Sequence, residues 1–422
     1  MMKSATESLP DAALSPGRAP TRRSRFLLEA GDQSFAFASQ IVLNGSFFLI
    51  MLTASMRFEP SEFLKLTFAN SLIPLIAAAL DFGLSQSCLA LSFEHKKQDY
   101  VTLNLVIKGA IVTVAISCFA ASLLVFGLVP ELVLVLAAAS LSFWTATRVV
   151  EQYAKRFRQY AKLNVALAVS RIVLGFIAIT YDSSVTLIIA VYILAQVPIQ
   201  IATLRKNADL RLKSVDLHAL RAMVRMAPMT FLSLNLYSSL PLMTLWILKI
   251  KDDTVSAAAF GVVLIFLAPV DLLYGTLKVY IFPKMIEANF SSIDLFGMGN
   301  RSMYLLMGGV CALLALSIVP GSILIDFMYN TRFPEADVFF MTYFSCHASA
   351  SVIGLYTLHS QRPGLIHLSL VTNALRAGGT ALFFLVPGMS SYSIVLGSGI
   401  IIVLGEFLLA MMLRRAARHM HL

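Results

Sequence analysis

Twelve apolar runs of about 20 residues, separated by short polar turns, leave this chain few ways to fold, because that is the length a hydrocarbon core demands. They fall at approximately 33–55, 63–91, 102–129, 131–152, 161–180, 184–204, 228–250, 255–277, 302–326, 336–358, 364–386 and 391–413. A backbone in lipid must satisfy its own hydrogen bonds, and these runs are twice the length of a barrel strand, so they read as helices. Composition agrees: 58% of the residues are hydrophobic, 13% are charged and the mean hydropathy is +0.78. The expected fold class is all-α, a polytopic membrane protein of about 12 transmembrane helices.

The net charge of +10 raises nucleic acid as a partner, and the placement of the charges removes it. With the N-terminus inside, 25 of the 33 Lys and Arg fall on the cytoplasmic side, five fall outside and three lie within spans. That bias is the positive-inside pattern, with both termini cytoplasmic. Residues 1–30, polar and ending in the basic run Arg22, Arg23 and Arg25, read as a disordered cytoplasmic tail. Residues 31–204 then form a first lobe, helices 1 to 6, and 228–413 a second, helices 7 to 12. Between them 205–227 reads as an amphipathic cytoplasmic connection, with Leu210, Leu217, Leu220 and Val224 near one face and basic residues between; an ordinary linker helix fits it as well. Residues 414–422 form a basic cytoplasmic tail.

Charges inside the apolar runs point to function, because a charge at mid-membrane depth costs roughly 2.5–3.5 kcal/mol and usually faces a bundle interior or a watery cavity. Arg376 lies on a helical stripe with Ser369, Thr372, Asn373, Gly379 and Thr380. The stripe reads as cavity lining, or else as a structural arginine paired with a carboxylate or backbone carbonyls. Arg171 occupies the matching place in the fifth span, on a face with Asn164, Ala168 and Gly175, a faint internal echo of the kind many transporters carry. Lys108 is a third cation within a span. Gln40 and Asn44 share a face of the first span, and Ser233, Tyr237 and Thr244 one of the seventh; such faces either line a cavity or join helices. Asp81, Asp271 and Glu406 lie toward cytoplasmic helix ends, where they and Lys108 can snorkel to the interface, and they are candidates for gating or coupling. Arg148 reads as a topology charge.

Enzyme motifs are missing from the sequence: there is no HExxH, GxSxG or P-loop, and the seven histidines are scattered. No cofactor or metal site is implied. Cys88, Cys118, Cys311 and Cys346 have no paired spacing and read as small core residues.

Several stretches carry a resemblance. The second span opens on Glu62 and Phe63 and closes on Leu80, Asp81, Phe82, Gly83, Leu84, Ser85 and Gln86. A basic, aromatic turn runs from Glu151, Gln152 and Tyr153 through Arg156, Phe157 and Arg158 to Asn164. Pro283 and Lys284 follow the eighth span, and Phe333, Pro334, Glu335 and Ala336 follow the ninth. Together these resemble the polysaccharide (O-antigen type) flippases of the multidrug/oligosaccharidyl-lipid/polysaccharide exporter (MOP) superfamily. The resemblance implies two pseudo-symmetric six-helix lobes around a central cavity that opens alternately to each side of the bacterial inner membrane. The implied cargo is a polyprenyl-diphosphate-linked oligosaccharide for surface polysaccharide biosynthesis, with the bilayer and polysaccharide-assembly proteins as candidate partners. Arg171, Arg376 and Lys108, with Asn373, Asn164, Gln40 and Asn44, would then meet the diphosphate or sugar. One departure is the lack of an acidic residue in the seventh span near Pro241 to Thr244. The alternatives are a cation-coupled multidrug exporter of the same superfamily and a membrane polysaccharide polymerase or glycosyltransferase.

Overall fold

The computed structural model describes residues 22–95, 99–127, 130–154, 156–181, 184–206, 217–251, 254–287, 301–361 and 365–420. Among the described residues the chain is helical throughout. The α-helices are α1 (Arg22–Arg57), α2 (Pro60–Asp81), α3 (Leu84–His95), α4 (Asp99–Phe126), α5 (Pro130–Tyr153), α6 (Phe157–Tyr181), α7 (Val185–Lys206), α8 (Leu217–Lys251), α9 (Thr254–Glu287), α10 (Arg301–Tyr329), α11 (Ala336–Thr357), α12 (Ile366–Ala381) and α13 (Ser391–Met420). Nine of these are long and apolar enough to cross a membrane, and α9 and α10 carry shorter apolar stretches at Thr254–Ala268 and Leu314–Tyr329. This is the architecture of a multi-pass membrane protein.

The second expected segment, 63–91, is divided. Pro60 starts α2, where its missing N–H costs nothing. Phe82 (φ 49°) and Gly83 (φ +72°) end it in left-handed conformations, with the Phe82 N–H donating to Ala78 O and Ala79 O. The Asp81 carboxylate then accepts from Ser85 N at 3.1 Å and Ser85 Oγ at 2.5 Å, which starts α3. The remaining α2, 22 residues, is about 33 Å long and suffices to span.

Other boundaries also differ from expectation. Residues 1–21 and 207–216 lie outside the described residues. The basic run at Arg22–Arg25 belongs to α1, Leu217 to Ala227 are the opening turns of a continuous α8, and α13 carries on through Arg414 and Arg415 to Met420. Of the four cysteines, Cys88 is buried, Cys346 is partly covered, and Cys118 and Cys311 are exposed. In lipid an apolar side chain gains little by turning inward, so apolar character alone does not assign a residue to the core.

Packing repeats between the halves. In the first, α1 packs on α6, α2 and α4 on α5, and α5 and α6 on α7. In the second, α8 packs on α12, α9 and α10 on α11, and α11 and α12 on α13. Each helix of one list maps in order onto one of the other, and α3 stands outside the match. The join between lobes obeys the same operator: α1 meets α9, α2 meets α8, and α2 meets α9.

At the end of the bundle carrying Phe58, Phe63 and Phe333, a shared apolar cluster holds the lobes together. Phe63 lies 5.9 Å from Phe333 between ring centroids, and Phe48 lies 5.6 Å from Phe266. Ala257, Ala258, Ala259 and Gly261 let α9 approach closely; a Cβ on Gly261 would stand 3.0 Å from Thr67 Oγ1. Because lipid tails are as apolar as these rings, the adhesion is van der Waals packing between small and large surfaces. Polar contacts add to it: Ser55 Oγ and Tyr329 Oη are 2.6 Å apart, and Arg332 Nη1 donates to Met56 O at 2.7 Å. Toward the other end α3 lies against α8 and α9.

Candidate functional site

The Arg376 stripe faces inward within its own lobe. Ser369, Thr372, Asn373, Arg376 and Thr380 are buried, whereas Val371 and Leu375 on the other side of α12 are exposed. Arg376 Nη2 is 3.0 Å from Glu406 Oε1 on α13, Nη1 donates to Asn373 Oδ1 at 2.6 Å, and the guanidinium lies 5.4 Å from the Tyr237 ring centroid on α8. The second Glu406 oxygen accepts from Thr357 at 2.9 Å. Asn373 donates to Ser233 O and Oγ, and Ser233 and Ser369 hydroxyls are 2.8 Å apart. Gly405 makes room for the arginine: a Cβ there would stand 2.6 Å from Arg376 Cγ. The stripe therefore joins α8, α12 and α13. Glu406, expected to snorkel from a helix end, is instead 6% exposed, because Arg376 and Thr357 satisfy both its oxygens.

Lys108 differs from expectation in the same way. It is fully buried, 2.8 Å from Asp81 and donating to Leu80 O at 3.1 Å, where it neutralises the carboxylate that caps α3. Asp271 stays accessible: its side chain is 60% exposed, and its Oδ1 lies 2.7 Å from Nε2 of buried His347 on α11.

Arg171 is 9% exposed on α6. With the Gln196 amide oxygen turned toward it, Arg171 Nη2 donates at 2.7 Å, and the Gln196 nitrogen reaches Ser140 on α5. Arg171 and Arg376 thus occupy matching helices, α6 and α12, each engaged with a partner inside its own lobe.

A third cluster gathers residues that sequence placed separately. Gln40 Oε1 on α1 receives three donors: Arg148 Nη2 at 3.1 Å, Tyr160 Oη at 3.1 Å and Asn164 Nδ2 at 3.2 Å. Arg148 Nε also donates to Tyr160 Oη at 3.1 Å, Asn164 donates to Ser39, and Gln40 Nε2 points to Asn44 Oδ1 at 3.5 Å. Tyr160 and Asn164 are buried, whereas Arg148 and Gln40 are half-buried. No carboxylate among the described residues pairs with Arg148, and its partners are neutral. From sequence Arg148 reads as a topology charge, and Tyr160 stands in none of the singled-out faces. Tyr160 continues the Asn164, Ala168, Arg171 face one turn back at i−4, which was the available signal.

The chain has the helical-bundle fold of the MATE transporters of the MOP superfamily. Among solved structures it is similar to an outward-facing multidrug resistance MATE family transporter of that superfamily, with TM-score 0.68, 14% identity, and 92% of this chain and 96% of that one covered. It is likewise similar to a MOP superfamily transporter from Pyrococcus furiosus (TM-score 0.68, 13% identity, 92% and 95% covered), described as having a binding pocket of reverse polarity that suggests a different function. A Vibrio cholerae MATE transporter gives TM-score 0.67 at 13% identity, with 93% and 98% covered. At these identities the likeness is one of fold. No protein-family model matches the sequence, and no curated protein matches it.

Proposed function

We propose that the protein is a flippase that moves a polyprenyl-diphosphate-linked oligosaccharide across the bacterial inner membrane by alternating access, both termini cytoplasmic. The observation that carries this is Arg148, a half-buried permanent cation inside the first lobe whose recorded partners are neutral. Three donors crowd onto the single amide oxygen of Gln40, so an oxyanion with more lone pairs is the better acceptor for them. Arginine's forked guanidinium suits phosphate. The diphosphate is the part of such a cargo most costly to bring through hydrocarbon, while the lipid tail stays in the bilayer. Gln40, Asn44 and Asn164 stand beside Arg148 in this role. Arg171, Arg376, Lys108 and Asn373 can serve the cargo by exchanging their present partners for it.

The fold accommodates a cation-coupled multidrug exporter equally well. Against an organic cation as cargo, Asp81 and Glu406 are already neutralised by Lys108 and Arg376. The experiment replaces Arg148 and, separately, Arg376 by Ala and by Lys, and measures surface polysaccharide at matched protein level. Arg148→Ala is expected to lower export at least tenfold, with partial recovery in Arg148→Lys. Unimpaired export in all four variants, together with altered tolerance to organic cations, would select the exporter instead.

A further inference from the structure

We infer that His347 and Asp271 form a proton-binding site in the second lobe, separate from the cluster around Arg148. Nε2 of His347 and Oδ1 of Asp271 are 2.7 Å apart across α11 and α9. Two polar atoms beside them are buried without a hydrogen-bond partner, His347 Nδ1 and Tyr343 Oη, and the Tyr343 ring stacks on the imidazole at 6.2 Å between centroids. Buried polar atoms left without a partner, as these two are, are costly in a purely structural device.

Charge counting supplies the reason. The ionisable groups within electrostatic reach of the pair are Tyr237 from α8, Asp271 and Tyr274 from α9, Tyr343 and Cys346 from α11, Arg376 from α12 and Glu406 from α13; α10 contributes none among the described residues. Arg376 and Glu406 cancel. Asp271 then has His347 as its counterpart, and the cluster is neutral only when a proton sits between Nε2 and Oδ1. Histidine is the side chain suited to gain and lose that proton between about pH 5 and 8. Asp271 is 60% exposed, so the pair is not sealed inside the bundle. The proton is delivered to a mechanical position, because α9 also packs on α1 and α2 across the lobe join. Gaining or losing the bridge between α9 and α11 therefore changes how α9 is held against the first lobe.

The test uses full-length protein in lipid nanodiscs and potentiometric titration between about pH 5 and 8. His347→Gln and Asp271→Asn are each expected to bind one proton fewer than wild type, and the double variant no fewer than either single one. Asp271→Asn alters an exposed side chain, so it reads out the site even where His347→Gln folds poorly. No deficit in Asp271→Asn, or additive deficits, would overturn the site. Repeating the titration with choline in place of sodium is expected to change nothing; displacement of the proton by sodium would also overturn it. Hydrogen exchange in α1 and α2 should depend on pH in wild type and lose that dependence in both variants; a dependence unchanged in both would refute the mechanical link. Coupling to cargo rests on the flippase proposal and is read separately: proteoliposome flux should respond to a pH gradient in wild type and cease to respond in Asp271→Asn. Flux that still responds in Asp271→Asn overturns the coupling and leaves the flippase standing, whereas a wild type that binds the proton but moves no lipid-linked cargo overturns the flippase and leaves the site standing.

Discussion

Arg376 is held in place by what is missing opposite it. Gly405 has no side chain, and the arginine stem fills the gap on its way to Glu406. Gly405→Ala is expected to destabilise by roughly 1–3 kcal/mol through overpacking, read as a lower thermal unfolding midpoint in detergent, while Gly378→Ala, with open space around it, should leave the midpoint unchanged. Glu406→Gln keeps the Thr357 contact but strands a buried guanidinium, a change on the order of 3–5 kcal/mol. Adding Arg376→Met to Glu406→Gln should recover most of that loss. At this scale the sequence was legible in part. The inward direction of the Arg376 stripe followed from its helical spacing. Its partner did not, because Glu406 lies on another helix, and distance along the chain says nothing about depth in a bundle. Arg148 escaped for a related reason: a charge near a turn satisfies the positive-inside pattern whether it points at water or back into the lobe.

The break between α2 and α3 shows what hydropathy cannot report. Both helices are apolar, so 63–91 reads as one run, yet the chain turns at Phe82 and Gly83. Gly83 is required there twice over: its φ is +72°, and a Cβ would stand 2.5 Å from Ala227 O and 2.7 Å from Phe231 N on α8. Left-handed backbone costs a residue with a side chain about 1–2 kcal/mol, and the clash is with main chain that cannot rotate away. Gly83→Ala is therefore expected to abolish export at normal expression, or to lower the unfolding midpoint by several degrees; a variant with wild-type stability and export would show that α3 does not need this contact. The same limit shortened the eleventh span, whose regular α-helix stops at Ala381, with a 3-10 turn at Leu382–Phe384.

Across the whole molecule, the all-helical, multi-pass class was legible because the membrane imposes length on apolar runs, whereas nine of the described helices are long and apolar enough to cross where twelve spans are expected. How the helices pair was not legible, since interfaces in lipid are chosen by small residues and hydrogen bonds that leave the mean hydropathy unchanged. In the alternating access proposed above, the match of α1 with α8, and of each later helix with its counterpart, would let the two halves move against each other about α1, α2, α8 and α9. Ser87 on α3 and Thr230 on α8 stand close enough to test this, their hydroxyls being 3.4 Å apart. Ser87→Cys with Thr230→Cys should form a disulfide under oxidant and stop transport reversibly, with activity returning on reduction. Full activity of the cross-linked form would place the moving surface elsewhere.

Two halves that each begin and end on the same side of the membrane, as proposed above, are related by an axis along the membrane normal, so exchanging them leaves the two membrane faces distinct. Here α3 belongs to one half alone and lies across the other at α8 and α9, so the two faces of the membrane meet different mechanical resistance. If the bundle opens as proposed, opening toward the α3 side would require peeling a helix from its bed, whereas opening at the Phe63 side would require parting a wall of rings. In the alternating access proposed above, the difference between those two contacts would set the preferred resting posture.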